Sequence, residues 1–260
     1  MESGSLDGAT NMALDEALLL AFDPSRSLPT LRLYGWAPPA LSLGRFQDAA
    51  GVLDLKRCRA AGVPLVRRIS GGGVIYHADE LTYSIVCAPR HLPPTASIKD
   101  SFRILTAFLL RFYGKLGLDP SYAADLGQGK HLGQRTPFCF AGQESYDILV
   151  RGRKIGGNAQ KRLKEVIFQH GSIPLRNRAE EGGSFMMEAP EGIREQTYSL
   201  AQAGIKGDEA LLNSLLAESF REGMGVLLRE GSLTAEEKSK SAELRGKYED
   251  DGWNLRGVWP

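Results

Sequence analysis

The chain carries almost no surplus charge: 32 Lys and Arg stand against 31 Asp and Glu, a net +1 over 260 residues. A general binder of polyanions needs an excess of positive charge, so no nucleic acid is expected as a partner. Cysteine is scarce as well. Cys58, Cys87 and Cys139 have no paired spacing, which argues against a disulfide framework or a zinc knuckle and favours a reducing compartment. Of the four histidines, His77 and His170 lack partners at metal-ligand spacing and His91 and His131 lie in loops, so no metal site is expected. Long apolar runs are missing too. The run LLLAF at 18–22 is too short for a signal core or a membrane span, and the first twelve residues lack a basic cluster. These absences predict a cytoplasmic protein with no membrane partner. No repeat, low-complexity tract or evident linker divides the sequence, which predicts a single domain over 1–260.

What the chain does have is gathered between Thr136 and Leu175, TPFCFAGQESYDILVRGRKIGGNAQKRLKEVIFQHGSIPL. Cys139 lies between Phe138 and Phe140. A strand-like run follows, then a turn at Arg151-Gly152 that presents Lys154, then a second turn at Gly156-Gly157. A thiol and an amine on neighbouring short elements can meet, and an ammonium favours the thiolate, the nucleophilic form. Cys139 is thus a candidate nucleophile and Lys154 its electrostatic helper. Two plainer readings stay open: Cys139 as a small buried hydrophobe, and Lys154 as a solvated turn lysine.

Upstream, Asn11 reads as the cap of a first helix with Leu14, Leu18 and Phe22 on its buried stripe, and Asp15 and Glu16 suit its dipole. Two strands follow, then a short helix over 49–61. In PLVRRISGGGVIYHADELTYSIVCAP, strands flank Gly71, Gly72 and Gly73, and Leu81, Tyr83, Ile85 and Cys87 share one face of the last strand. The triple glycine is neither a Walker A loop nor a dinucleotide fingerprint. It is a tight turn, or a place where backbone N–H groups approach a ligand, with Arg67-Arg68 suited to an anion. His77 and His170 read more readily as structural than catalytic. Ser97 and Asp100 box the start of a long helix striped by Phe102, Leu105, Leu109 and Phe112. Helices return over about 208–260. Strands clustered centrally among helices predict an α+β fold with a mixed sheet. Arg151, Arg153, Lys154, Lys161, Arg162 and Lys164 form a basic run, read as a solvated strand edge or a dock for an acidic partner.

In this order, Asn11-Met-Ala-x-Asp-Glu-Ala, LRLYGWAPPALSLGRFQ, RRISGGGVIYHADELTYS, GRKIGGNAQKR and QHGSIPL resemble lipoate-protein ligases and lipoyl/octanoyl transferases, over about 11–175. The resemblance implies a biotin/lipoate protein ligase-like catalytic fold. Within the family, PFCFAGQESYDI is most similar to the M-type octanoyltransferases, in which a cysteine here is the nucleophile and a lysine lies fifteen residues on, as Lys154 does. The implied reaction moves octanoyl from octanoyl-acyl carrier protein to a lysine of a lipoyl-domain protein such as glycine-cleavage H protein. It needs no cofactor and passes through a Cys139 thioester. The shared acyl-pocket motif carries over to Arg68, Gly71, Gly72, Gly73 and His77 as substrate-binding residues. It carries over to Gly157, Asn158 and Ala159 as well, where the usual pattern is glycine-serine-alanine. An acyl tunnel is expected under the glycine loop. The rival readings are an ATP-dependent ligase and a non-catalytic acyl- or lipoyl-domain-binding protein.

Overall fold

The computed structural model describes residues 1–94, 98–126, 137–139 and 144–259. It begins with a strand, β1 (Glu2–Leu6), and a helix, α1 (Gly8–Ala21). Asp7 caps α1, its carboxylate accepting the Thr10 N–H at 2.9 Å. Asn11, expected as the cap, lies inside the helix. Its amide nitrogen donates to the carbonyls of Leu6 and Gly35, and its oxygen accepts from Arg32. Leu14, Leu18 and Phe22 are buried as expected, and so are Met12, Ala13, Ala17 and Leu19, because the helix is covered on more than one side. Asp15 and Glu16 do not serve the dipole. Asp15 accepts from Arg32, Tyr34 and Ser84, and Glu16 from Lys247 and Tyr248.

A central five-stranded sheet has the order β1–β2–β6–β11–β10, built from β2 (Thr30–Trp36), β6 (Glu80–Cys87), β10 (Gly157–Arg162) and β11 (Ile167–Pro174) with β1. β1 and β2 run parallel and the other three pairings are antiparallel, so the sheet is mixed. β6 and β11 are buried along their whole lengths. The one-faced burial expected of Leu81, Tyr83, Ile85 and Cys87 therefore understates the packing, since helices cover both faces. On one side lie α4 (Ile98–Lys115) and α7 (Glu209–Met224). Leu105, Phe108, Leu109 and Phe112 of α4 pack with Leu212, Leu216 and Phe220 of α7 against Tyr83 and Ile85. On the other side α1 and α8 (Ala235–Glu249) enclose Val86 and Phe168 with Leu18, Leu19 and Tyr248. Phe102 is only half-buried, stacked on Tyr146. Ser97, the other half of the expected capping box, lies outside the described residues.

Phe108 sits where the first layer meets the sheet, its ring 5.1 Å from both Tyr83 and Phe220. Phe108→Ala removes a fully buried ring and leaves a cavity between three elements. It is expected to lower the free energy of unfolding by about 3–5 kcal/mol. Urea unfolding measures this, and a loss below about 1 kcal/mol would mean that the α4–α7 layer is not anchored there.

Two small sheets carry the site. One has the order β4–β3–β5, from β3 (Ala40–Leu43), β4 (Leu65–Arg67) and β5 (Ile75–His77); the other is β7 (Pro120–Tyr122), β8 (Ile148–Val150) and β9 (Arg153–Lys154). The helix expected over 49–61 is two, α2 (Ala49–Val52) and α3 (Leu55–Ala60). Leu53 between them bridges Met186, and Asp54 caps the second. A last short helix, α9 (Asp251–Arg256), docks on Arg67. The Arg67 guanidinium donates to the carbonyls of Gly44, Arg45, Gln47, Trp253, Asn254 and Leu255. Its role as an anion ligand is therefore corrected: it ties the C-terminal end to the loop after β3.

Candidate active site

Arg68 follows β4 and turns into the glycine loop. Its Nη2 donates to the carbonyls of Gly71 and Gly73 at 2.8 and 2.7 Å, and its Nη1 to the carbonyl and hydroxyl of Ser42 at 2.9 and 3.1 Å. Gly72 has φ +96°, in the left-handed region, and a Cβ there would meet Arg68 Nη2 at 2.8 Å. The loop needs glycine at this position both for its backbone and for room. Burial pushes the Arg68 guanidinium down to about 10, with Cys139 acting in the opposite sense, so it remains a cation at neutral pH.

The cysteine segment is stitched to the residue that follows this loop. Val74 donates its N–H to Pro137 at 2.8 Å, and Cys139 donates its N–H to the Val74 carbonyl at 2.9 Å. Phe138 is buried among Leu41, Leu43, Val74, Ile75 and Phe185, and Cys139 packs half-buried against the same cluster. Phe140 lies outside the described residues. Cys58 and Cys87 are buried in the core. Burial pushes both thiols up, that of Cys87 to about 12, which leaves them unsuited to nucleophilic work.

Lys154 arrives on a hairpin. Arg151 and Gly152 have φ +53° and +72°, and two positive values in a two-residue loop fit the right-handed twist of the strands they join. The turn read from the sequence is present. The turned-back strand is held by Tyr198, whose N–H donates to the Lys154 carbonyl at 2.8 Å, and by Tyr113, whose hydroxyl donates to the Ile155 carbonyl at 2.8 Å. Lys154 is only 2% exposed, so the solvated-lysine reading does not hold. Its Nζ donates to the Cys139 carbonyl at 2.8 Å and pairs with Asp147 Oδ2 at 2.7 Å. Burial pushes the ammonium down, but Asp147 and then Cys139 push it up, and the net result is raised. At neutral pH Lys154 is therefore a buried cation fastened to the backbone of the cysteine. Asp147 was missed in the sequence. Its one signal is that it is the single acid in the otherwise strand-like SYDILV.

Gly157 begins β10 beneath the thiol. A Cβ there would lie 3.1 Å from Cys139 Sγ and 3.9 Å from Lys154 Cε. Gly157→Ala is expected to displace the sulfur by a few tenths of an ångström. Alkylation of Cys139 should then slow about tenfold, since small misplacements at a reacting atom are costly. Stability should change by less than about 1 kcal/mol. Iodoacetamide trapping reads the first effect and thermal unfolding the second; an unchanged trapping rate would show that the thiol points elsewhere.

The other expected residues lie further out. Asn158 Oδ1 accepts from the Tyr83 hydroxyl at 2.7 Å, and Ala159 pairs with His170 across β10 and β11. His77 is 5% exposed, with Nε2 2.7 Å from Ser42 Oγ, Nδ1 2.7 Å from Glu80 Oε1 and Trp36 stacked on its ring at 3.8 Å. It reaches the glycine loop through Ser42 and Arg68. His170 lies in the middle of β11, 2.6 Å from Ser70 Oγ, and burial pushes its imidazole down. In the basic run, Arg153 lies over the Tyr198 ring at 4.1 Å, while Arg151 and Lys164 are exposed and Lys161 and Arg162 half-exposed. Among the described residues no three His, Cys, Asp or Glu side chains gather as a metal site, and no helix is long and apolar enough to cross a membrane.

The profile of the lipoyl protein ligase A/B catalytic domain matches residues 7–222. Octanoyltransferase LipM of Kyrpidia tusciae is 36% identical over 267 residues, covering 98% of this chain and 97% of that one. Octanoyltransferase LipM of Geobacillus kaustophilus is 35% identical over 273 residues, with the same coverage. Among solved structures, a lipoate-protein ligase A bound with ATP superposes with a TM-score of 0.83 at 23% identity, covering 99% of this chain and 97% of that one. A bi-partite lipoate protein ligase of Thermoplasma acidophilum, studied with its E2 lipoyl domain, gives a TM-score of 0.80 at 22% identity, covering 100% and 96%. At these identities the two structures speak for the fold, which is that of the lipoate protein ligases, with a mixed sheet flanked by helices. The site built from Cys139, Lys154 and the glycine loop thus stands on a shared scaffold, and the chain belongs to the lipoyl protein ligase A/B catalytic-domain family.

Proposed function

We propose that this chain is an octanoyltransferase of lipoate biosynthesis that works through a thioester on Cys139. The donor is octanoyl-acyl carrier protein, and the acceptor is a lysine of a lipoyl-domain protein such as glycine-cleavage H protein. The observation that carries the reading is the convergence at Cys139. Its backbone is held by Val74 and by the buried Lys154 cation, and its sulfur lies over Gly157.

In the first half-reaction the Cys139 thiolate attacks the thioester carbonyl. A new S–C bond forms, the bond to the pantetheine sulfur breaks, and that sulfur leaves and takes up a proton. In the second, the acceptor amine attacks the acyl-enzyme. A C–N bond forms, the amine loses its proton to solvent or to a base, and the Cys139 thiolate is returned. Lys154 holds its own proton too firmly to serve as that base, since its pKa is raised. Its part is electrostatic, favouring the anion at sulfur and fixing the Cys139 backbone. Arg68 with Gly71, Gly72 and Gly73 frames the acyl carbonyl, where an N–H donor is worth roughly 3 kcal/mol in other enzymes. The apolar cluster against which Cys139 packs receives the aliphatic chain. The exposed charges of Arg151 and Lys164 suit an acidic carrier.

The discriminating experiment supplies octanoyl-acyl carrier protein without ATP in one arm and free octanoate with ATP in the other, with apo lipoyl domain in both. Octanoylation in the first arm alone is expected. Octanoylation in the second arm alone would place the chain with the ligases, whose fold it shares. Product in neither, with retained binding of the lipoyl domain, would favour a binding protein.

A further inference from the structure

We propose that Glu80, His77 and Ser42 form a buried positioning relay that holds Arg68 with its Nε–H open to the acyl carbonyl at Cys139. This rests on the acyl-enzyme reading above. Arg68 is 1% exposed, and four hydrogen bonds through Nη1 and Nη2 fix one edge of its guanidinium on Ser42, Gly71 and Gly73. Among the described residues its Nε has no hydrogen-bond partner. A buried donor left unpaired costs about 1–3 kcal/mol, and a fold that keeps one beside its nucleophile has a donor in place for a developing oxyanion. Proximity comes from the chain itself: Gly73, which accepts from Arg68 Nη2, precedes Val74, which accepts from Cys139 N–H.

Behind Arg68 the relay can be followed atom by atom. Ser42 Oγ accepts from Arg68 Nη1 and lies 2.7 Å from His77 Nε2. The Glu80 carboxylate can only accept, so His77 Nδ1 carries a proton and donates to Glu80 Oε1 at 2.7 Å, which in the neutral imidazole leaves Nε2 to accept from the Ser42 hydroxyl. Glu80 is held in turn by the hydroxyls of Thr82 and Ser172 at 2.6 and 2.5 Å. Trp36 lies flat on the His77 imidazole and donates its indole N–H to Thr82 at 2.9 Å. Ser42, His77 and Glu80 are 0%, 5% and 8% exposed. They are withdrawn from any substrate and act through Arg68. This gives His77 a different part from the direct substrate contact that the resemblance implies.

The test is single-turnover acylation of Cys139 by octanoyl-acyl carrier protein in wild type, Arg68→Lys, His77→Asn and the double variant. Lysine keeps the charge but has no Nε–H. Asparagine keeps a donor for Glu80 but does not reach Ser42. Arg68→Lys is expected to slow acylation about 100-fold and His77→Asn about tenfold. The double variant should be no slower than Arg68→Lys within about twofold, because residues acting through one group are not additive. Alkylation of Cys139 by iodoacetamide, which develops no oxyanion, should stay within about twofold of wild type in His77→Asn. Losses that multiply to about 1,000-fold, or alkylation that falls in step with acylation, overturn the relay. A wild type that takes no acyl group removes the acyl-enzyme reading itself, so the two failures are told apart.

Discussion

Cys139→Ala is expected to abolish octanoyl transfer, with a loss of about 10⁴-fold or more in kcat. Residues that form the covalent bond show losses of this order when removed. Folding should survive. The cysteine is half-buried and packs at the edge of the cluster around Phe138, so truncation to alanine removes one sulfur from a partly solvated position. The expected destabilisation is under about 1 kcal/mol. Steady-state transfer to an apo lipoyl domain gives the first quantity and urea unfolding the second. Cys58→Ala and Cys87→Ala are the controls, since both of those thiols are core residues whose burial disfavours the thiolate. They should keep transfer at the wild-type level per folded molecule. A Cys139→Ala protein that still turns over at more than a hundredth of the wild-type rate would end the nucleophile assignment.

Lys154→Ala should fail in two separable ways. It strands the Asp147 carboxylate, which lies 2.7 Å from Nζ at a site where both side chains are at most 5% exposed. Breaking a buried pair from one side costs about 3–5 kcal/mol. It also removes a cation from beside the thiol and the donor that fixes the Cys139 carbonyl. Acylation should fall about 100-fold or more, and iodoacetamide alkylation at neutral pH should slow with it. Adding Asp147→Asn to Lys154→Ala removes the stranded charge and is expected to restore most of the stability but none of the acylation. Lys154→Arg keeps the charge with a different reach and shape, so it should recover alkylation more than turnover. Recovery of acylation in the Asp147→Asn, Lys154→Ala protein would make Lys154 a purely structural residue. The pH dependence has a definite sign. A lysine whose folded pKa is raised contributes stability that is complete below its unfolded value, near 10.5. That contribution is lost as pH climbs beyond 10.5 through the folded value. The lysine's contribution is therefore present across the neutral range and is lost in strong alkali.

The sequence made the meeting of Cys139 and Lys154 legible because both hang on local signals. Arg151-Gly152 announces the hairpin that turns Lys154 back, and the stripe of α4 shows in the spacing of Leu105, Leu109 and Phe112. Partners supplied from afar were not legible. Arg67 looks like an anion ligand until the carbonyls of Trp253, Asn254 and Leu255 arrive from the other end of the chain. Asp15 looks like a helix-dipole acid until Arg32, Tyr34 and Ser84 surround it. β6 reads as a one-faced strand because alternation cannot tell that α1 and α8 cover its second face. Asp147 is the instructive omission. A lone acid in a strand has no meaning until the lysine it neutralises is folded against it.

The most direct measurement is the intact mass of the wild-type protein after mixing with octanoyl-acyl carrier protein, without ATP and without acceptor. One octanoyl group should add to the chain, be released by hydroxylamine, map to Cys139 on proteolysis, and move to the lysine of an added apo lipoyl domain. An adduct that survives hydroxylamine, maps elsewhere, or forms equally on Cys139→Ala would contradict the thioester account.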